Sequence, residues 1–109
     1  MQLELKDHVA LVTGGASGIG AATARTLAAE GCRVVIADIN FTGGTAVAAE
    51  IAKSGHSARA MELDVRDNAA IEACVADIVA QDKRIDILVT AAGIIKSEPL
   101  ARSTMARAE

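Results

Sequence analysis

Residues 13–20, Thr13-Gly14-Gly15-Ala16-Ser17-Gly18-Ile19-Gly20, place four of the nine glycines of the chain within eight positions. A run of this kind does its chemistry through the backbone. Gly14 lets the chain turn out of a preceding strand, Gly18 has no Cβ to block close approach of a pyrophosphate, and Gly20 lets a following helix pack closely on that strand. The N–H groups around Gly18–Gly20 would then face an anion, with the helix dipole aligned to favour it. The spacing is G-x-x-x-G-x-G, and no lysine-serine pair follows Gly20, which excludes a nucleoside-triphosphate loop.

Eighteen residues beyond Gly20 stands Asp38, at the end of the next β-branched run. A carboxylate there can accept hydrogen bonds from both ribose hydroxyls of an adenosine. A 2′-phosphate in that place would meet a like charge at about 4 Å, which costs roughly 4 kcal/mol per unit charge at an effective dielectric of 20 and about 1 kcal/mol in water. Because Ser17 and Ile39 are not basic, the pattern favours NAD over NADP as the dinucleotide.

These residues need strands and helices to position them, and the sequence supplies an alternation of both. Short β-branched runs predict strands at His8–Thr13, Arg33–Ala37, Ala58–Leu63 and Asp86–Thr90. Between them, helical spacing predicts helices from about Gly18 to Glu30, from Thr42 to Ser54 and from Asp67 to Gln81. In the last of these Ile71, Cys74, Val75, Ile78 and Val79 form one apolar stripe behind a cap at Asp67 or Asn68, while Gly31 and Gly55 stop the first two helices. Strand and helix in alternation specify an α/β fold with a doubly wound parallel sheet in the order 3-2-1-4. Ala91-Ala92-Gly93 reads as a small-residue turn, and Ser103-Thr104 as the cap of a helix the chain does not complete. The expectation is a single Rossmann-like domain over residues 1–109, truncated after the fourth strand. That strand is expected to be an unpaired edge, open to self-association through Ile87 and Val89 with the Ile94-Ile95 segment.

Composition removes other functions. With 14 acidic and 11 basic side chains the net charge is −3, so a nucleic-acid partner is not expected. Hydrophobic residues make up 51% of the chain, yet Phe41 is its only aromatic residue. The absence of tyrosine and tryptophan removes any tyrosine acid/base and any stacking platform for single-stranded nucleic acid. The longest charge-free stretch, His8 to Ala24, is too glycine-rich and polar for a bilayer span, and the start Met1–Asp7 has charges where a signal peptide needs an apolar run, so none is expected. No membrane partner and a cytoplasmic location are expected. Cys32 and Cys74 lie 42 positions apart with no CxxC, so both are expected as buried fillers rather than ligands, and no metal site is expected. His8 and His56 are expected to face solvent.

At the glycine turn and Asp38 the sequence resembles the short-chain dehydrogenase/reductase family of NAD(P)-dependent oxidoreductases. The resemblance extends to Asp64-Val65 after the third strand and to Ala92-Gly93-Ile94 after the fourth. Where the family has Asn-Asn-Ala-Gly this chain reads Thr90-Ala91-Ala92-Gly93. It implies a cofactor site made of Gly14, Ser17, Gly18, Ile19, Gly20, Asp38, Ile39, Asp64, Val65, Ala91, Ala92 and Gly93, with Asp64-Val65 against the adenine. Taken by itself, Asp64 reads equally as a loop or helix-capping carboxylate. The family's proton transfer uses a tyrosine, a lysine four residues on and a serine. With no tyrosine the chain has no Tyr-x-x-x-Lys, so no catalytic residue is assigned. The implied function is the NAD-binding, amino-terminal part of an oxidoreductase moving hydride between NAD(H) and an alcohol/carbonyl pair, inactive alone. The alternative is a non-catalytic NAD- or AMP-binding module. Methyltransferases also suit an acidic residue after the second strand, but not this glycine spacing.

Overall fold

The computed structural model describes residues 5–90 and the backbone of residues 93–96. Along the chain run β1 (Val9–Thr13), α1 (Gly18–Ala29), β2 (Arg33–Asp38), α2 (Phe41–Lys53), β3 (Ser57–Glu62), α3 (Asn68–Asp82), β4 (Ile87–Thr90) and β5 (Gly93–Lys96). The four expected strands and three expected helices are all present, their ends differing by about one residue. The strands form one sheet in the order β3-β2-β1-β4-β5, in which β1, β2, β3 and β4 are parallel.

Burial on both faces explains why β1, β2 and β4 read as continuous apolar runs. Ala10, Val12, Val34, Ile36, Ile87 and Val89 pack under Ala21, Ala24 and Ala28 of α1 and Val47, Ala48 and Ile51 of α2. On the opposite face Val9, Leu11, Val35, Ala37 and Leu88 pack with Cys74 and Ile78 of α3. The chain steps outward from β1 to β3 beneath α1 and α2, then crosses back under α3 to place β4 on the other side of β1. That reversal creates the crevice at the carboxyl ends of the strands where open α/β sheets bind ligands. Arg59 on β3 bridges Asp77 and Asp82 of α3, at 3.2 and 3.1 Å, and fixes that helix over the sheet.

Two expectations about side chains need correction. The apolar stripe of α3 is narrower than its sequence suggests, since Cys74 and Ile78 are buried but Val79 is 43% exposed. Among the described residues α3 is the only helix on its face, so no neighbour covers that flank. His8 is half-buried rather than solvent-facing, because its carbonyl accepts from the Arg33 N–H at 2.8 Å and draws it into the β1–β2 ladder. Its Nδ1 is buried with no hydrogen-bond partner. His56 is exposed and both cysteines are buried, as expected. Burial pushes the Cys74 thiol up, away from the reactive thiolate.

The expected unpaired edge at β4 is also overturned. β5 pairs antiparallel with β4, Thr90 opposite Gly93 and Ile87 opposite Lys96. The antiparallel pairing supplies partners for backbone groups that a bare edge would expose. Ile87 and Val89 are 2% and 7% exposed, so β4 is not the bare edge that was expected. The side chains of Ile94 and Ile95 lie outside the described residues.

At the other end of β1 and β4, Asp86 holds the sheet together. Its N–H donates to the Val9 carbonyl at 2.8 Å, and its Oδ2 accepts from the Val9 N–H at 2.8 Å and from Arg84 Nε at 2.7 Å. Burial pushes the Asp86 carboxyl up, but Arg84 and the Val9 N–H outweigh it and leave the group below its ordinary value. A carboxyl lowered in the folded state stabilises above its unfolded pKa of about 3.9, and that contribution is lost as pH falls through the folded value. Asp86→Ala is expected to lower unfolding free energy by about 1–3 kcal/mol at neutral pH. In denaturant titrations the gap from the unmutated chain should close below about pH 4; a gap unchanged down to pH 2 would assign the loss to packing instead.

Candidate functional site

The candidate site lies on the β2–β3 side of that reversal and is built by the three chain segments leaving β1, β2 and β3. Leaving β1, Gly14 takes φ +72°, and its N–H donates to the Ala37 carbonyl at 2.8 Å, so the turn begins while still bonded to β2. A Cβ on Gly20 would run into the Gly14 carbonyl oxygen, which is the close approach of α1 to the turn that the spacing predicts. Gly15, which the spacing did not single out, is also constrained, though less than Gly20, because a Cβ there would lie 2.8 Å from the Ile36 side chain at Cγ2 and 3.2 Å from the Val12 carbonyl oxygen. Its only signal in the sequence is the Gly14-Gly15 doublet.

The outer side of the turn is open. A Cβ on Gly14 or Gly18 would meet nothing within 4 Å, and Gly18 has φ +60°. Ser17 stands at the N-cap of α1 in an extended conformation, yet its side chain makes no capping bond. The first turn of α1 carries no acidic residue, so nothing within the helix neutralises its amide end. Ile19 is 86% exposed. Ser17, Gly18, Ile19 and Gly20 thus lie together at one helix start.

Beside this turn a cleft of about 300 Å³ is lined by Gly14, Asp38, Ile39, Leu63, Asp64, Val65 and Arg66. It brings together five of the residues singled out from sequence. Asp38 ends β2 with its carboxylate half-buried: Oδ2 accepts from the Ala16 N–H at 3.0 Å and Oδ1 from the Asn40 N–H at 2.8 Å. Ile39 and Val65, 60% and 54% exposed, are apolar surface on the cleft. Ala91 and Ala92 lie outside the described residues, and of Gly93 only the backbone is described, as the first residue of β5.

Asp64 is committed within the chain. Arg66 donates to it through Nε at 2.9 Å, Nη2 at 2.8 Å and the backbone N–H at 2.9 Å. The guanidinium holds the Asp64 carboxyl down to about 2, well below the usual carboxylate range. Arg66 was not foreseen as a site residue, although it follows directly in the run Asp64-Val65-Arg66. It is the basic side chain of this cleft, but its charge is matched by Asp64.

Chemically, the arrangement offers helix-start amides and an uncommitted serine hydroxyl to a phosphate, a carboxylate to a sugar diol, and apolar walls to a flat ring. Carboxylate oxygens carry about four lone-pair sites in all, so Asp38 retains acceptor capacity beside its two backbone bonds. No group of three His, Cys, Asp or Glu side chains that could hold a metal occurs among the described residues, and none of their helices is long and apolar enough to cross a membrane.

Comparison with known proteins places this geometry in context. The family model described as short chain dehydrogenase matches residues 8–109. A sorbitol dehydrogenase of Cereibacter sphaeroides is 44% identical over 102 residues, which cover 94% of this chain and 39% of that protein. A D-threitol dehydrogenase of Mycolicibacterium smegmatis is 42% identical over 95 residues, covering 87% of this chain and 36% of the relative. Among solved structures, a hydroxysteroid dehydrogenase from Escherichia coli superposes with a TM-score of 0.77 at 32% identity, covering 79% of this chain and 37% of that one. The chain therefore spans little more than a third of the length of these relatives.

Proposed function

The chain belongs to the short-chain dehydrogenase family of oxidoreductases, and from that premise we propose that residues 13–66 hold the adenosine and pyrophosphate half of NAD. The observation that carries the reading is convergence: Gly14, Asp38, Ile39, Asp64 and Val65, distant in sequence, line one cleft beside the open start of α1. The amides of Gly18, Ile19 and Gly20 and the Ser17 hydroxyl would take the pyrophosphate, Asp38 the ribose hydroxyls, and Ile39 and Val65 the faces of the adenine. The positive φ of Gly14 and Gly18 and the open space beyond them fit a bound phosphate, since a side chain at either glycine would occupy its approach.

The preference for NAD over NADP rests on Asp38, whose carboxylate repels a 2′-phosphate, and on the matching of Arg66 by Asp64. Bound nicotinamide dinucleotide supplies the hydride acceptor or donor. For the whole protein we propose hydride exchange with an alcohol/carbonyl pair, the relatives being named for polyols such as sorbitol and threitol. The 109 residues contain no tyrosine, so they provide no tyrosine acid/base and are expected to give no turnover by themselves. Calorimetric titration of the chain with NAD and with NADP tests the reading. Tighter binding of NAD is expected, and equal affinity for the two would contradict the role given to Asp38.

A further inference from the structure

Resting on the cofactor reading above, we propose that Asp38 is a positioning residue that ties the glycine turn to the first turn of α2 and so sets the turn's shape before any ligand arrives. The Ala16 N–H, in the middle of the turn, donates to Asp38 Oδ2 at 3.0 Å across 22 positions of sequence. The other carboxylate oxygen, Oδ1, accepts from the Asn40 N–H at 2.8 Å. Asn40 is the N-cap of α2, and its Oδ1 in turn accepts from the Gly43 N–H at 3.0 Å. One carboxylate thus joins the two segments through both of its oxygens.

Packing draws the same two segments together independently of these bonds. A Cβ on Gly43 would lie 3.2 Å from Ala16 Cβ and 2.5 Å from Asn40 Nδ2. The start of α2 is therefore seated against the glycine turn, with Ala16 Cβ so near Gly43 that an added methyl group would have to push it aside by a few tenths of an ångström. Without the bridge the Ala16 amide would be left to water, and a turn carrying two positive-φ glycines has many other conformations open to it. A turn already held in place loses less conformational freedom when it closes on a phosphate. Asp38 would then act on the ribose directly and on the pyrophosphate through the turn.

Hydrogen exchange on the ligand-free chain reads the bridge without reference to any cofactor. In Asp38→Ala the Ala16 amide is expected to exchange about tenfold faster relative to core amides such as those of Val12 and Ile36, the loss of one charge-assisted bond. Should that variant fail to fold, Asp38→Asn, nearly isosteric but with one acceptor oxygen, is expected to release either Ala16 or Asn40. Unchanged exchange at both amides overturns the proposal. Binding of 2′,3′-dideoxyadenosine diphosphate, which has no ribose hydroxyls to offer, supplies the second readout. Its affinity should fall severalfold in Asp38→Ala. A loss for ADP with none for the dideoxy compound would confine Asp38 to ribose contact and overturn the positioning role, leaving the cofactor reading intact. If neither compound binds the unmutated chain, the cofactor reading fails and the exchange measurement still decides the bridge.

Discussion

Gly20→Ala is expected to destabilise the chain by about 3 kcal/mol, a large part of the roughly 5–15 kcal/mol that holds a domain of this size folded. The added Cβ would run into the Gly14 carbonyl oxygen and lie 3.2 Å from Gly15 Cα. Both neighbours are backbone, held by the Gly14 bond to Ala37 and by the packing of Gly15 on Ile36. Relief therefore requires α1 to move off the end of β1, taking the helix-start amides with it. Gly14→Ala is the control. Its Cβ meets nothing within 4 Å, so only the positive φ opposes it, at about 1 kcal/mol. Denaturant unfolding of the two variants should rank them in that order; the reverse ranking would mean that turn conformation matters more than close approach.

Asp38→Ala should weaken NAD binding roughly 5- to 150-fold, about 1–3 kcal/mol, through loss of charge-assisted hydrogen bonds to the ribose. NADP should respond differently, because removing the carboxylate also removes the repulsion of a 2′-phosphate. The two affinities are expected to converge. Titration of the variant with each dinucleotide checks this, and an equal fractional loss for both would show that Asp38 does not read the 2′ position.

Much of the fold was legible in the sequence because each signal had a local cause. The runs Val9–Val12 and Val34–Ala37 are apolar on both faces because helices cover both sides, and Asp67 caps α3 by accepting from the Ala70 N–H, as its position before the apolar stripe predicted. The glycine spacing and Asp38 were legible as a candidate site for the same reason, since the turn conformation and the carboxylate stand at fixed offsets from β1 and β2. What escaped depends on contacts between distant segments or on which neighbour a side chain turns to. Nothing near Asp38 announces that Ala16 will donate to it, and nothing in Arg66 shows that it will fold back on Asp64 rather than face solvent. The antiparallel β5 escaped because Ala91-Ala92-Gly93 signals a turn without saying where the chain goes next. Val79 was misplaced because a helical stripe gives a direction, not the width of the surface available to receive it.

The central claim is that the glycine turn, the end of β2 and the segment after β3 form one dinucleotide site. Amide chemical-shift mapping of the isotopically labelled chain during titration with NAD tests it most directly. The account predicts that the largest changes fall at Gly18, Ile19, Gly20, Asp38, Ile39 and Val65 and saturate together with a single Kd. Changes confined to the separate cleft lined by Arg25, Glu50 and His56, or no saturable change at all, would contradict it.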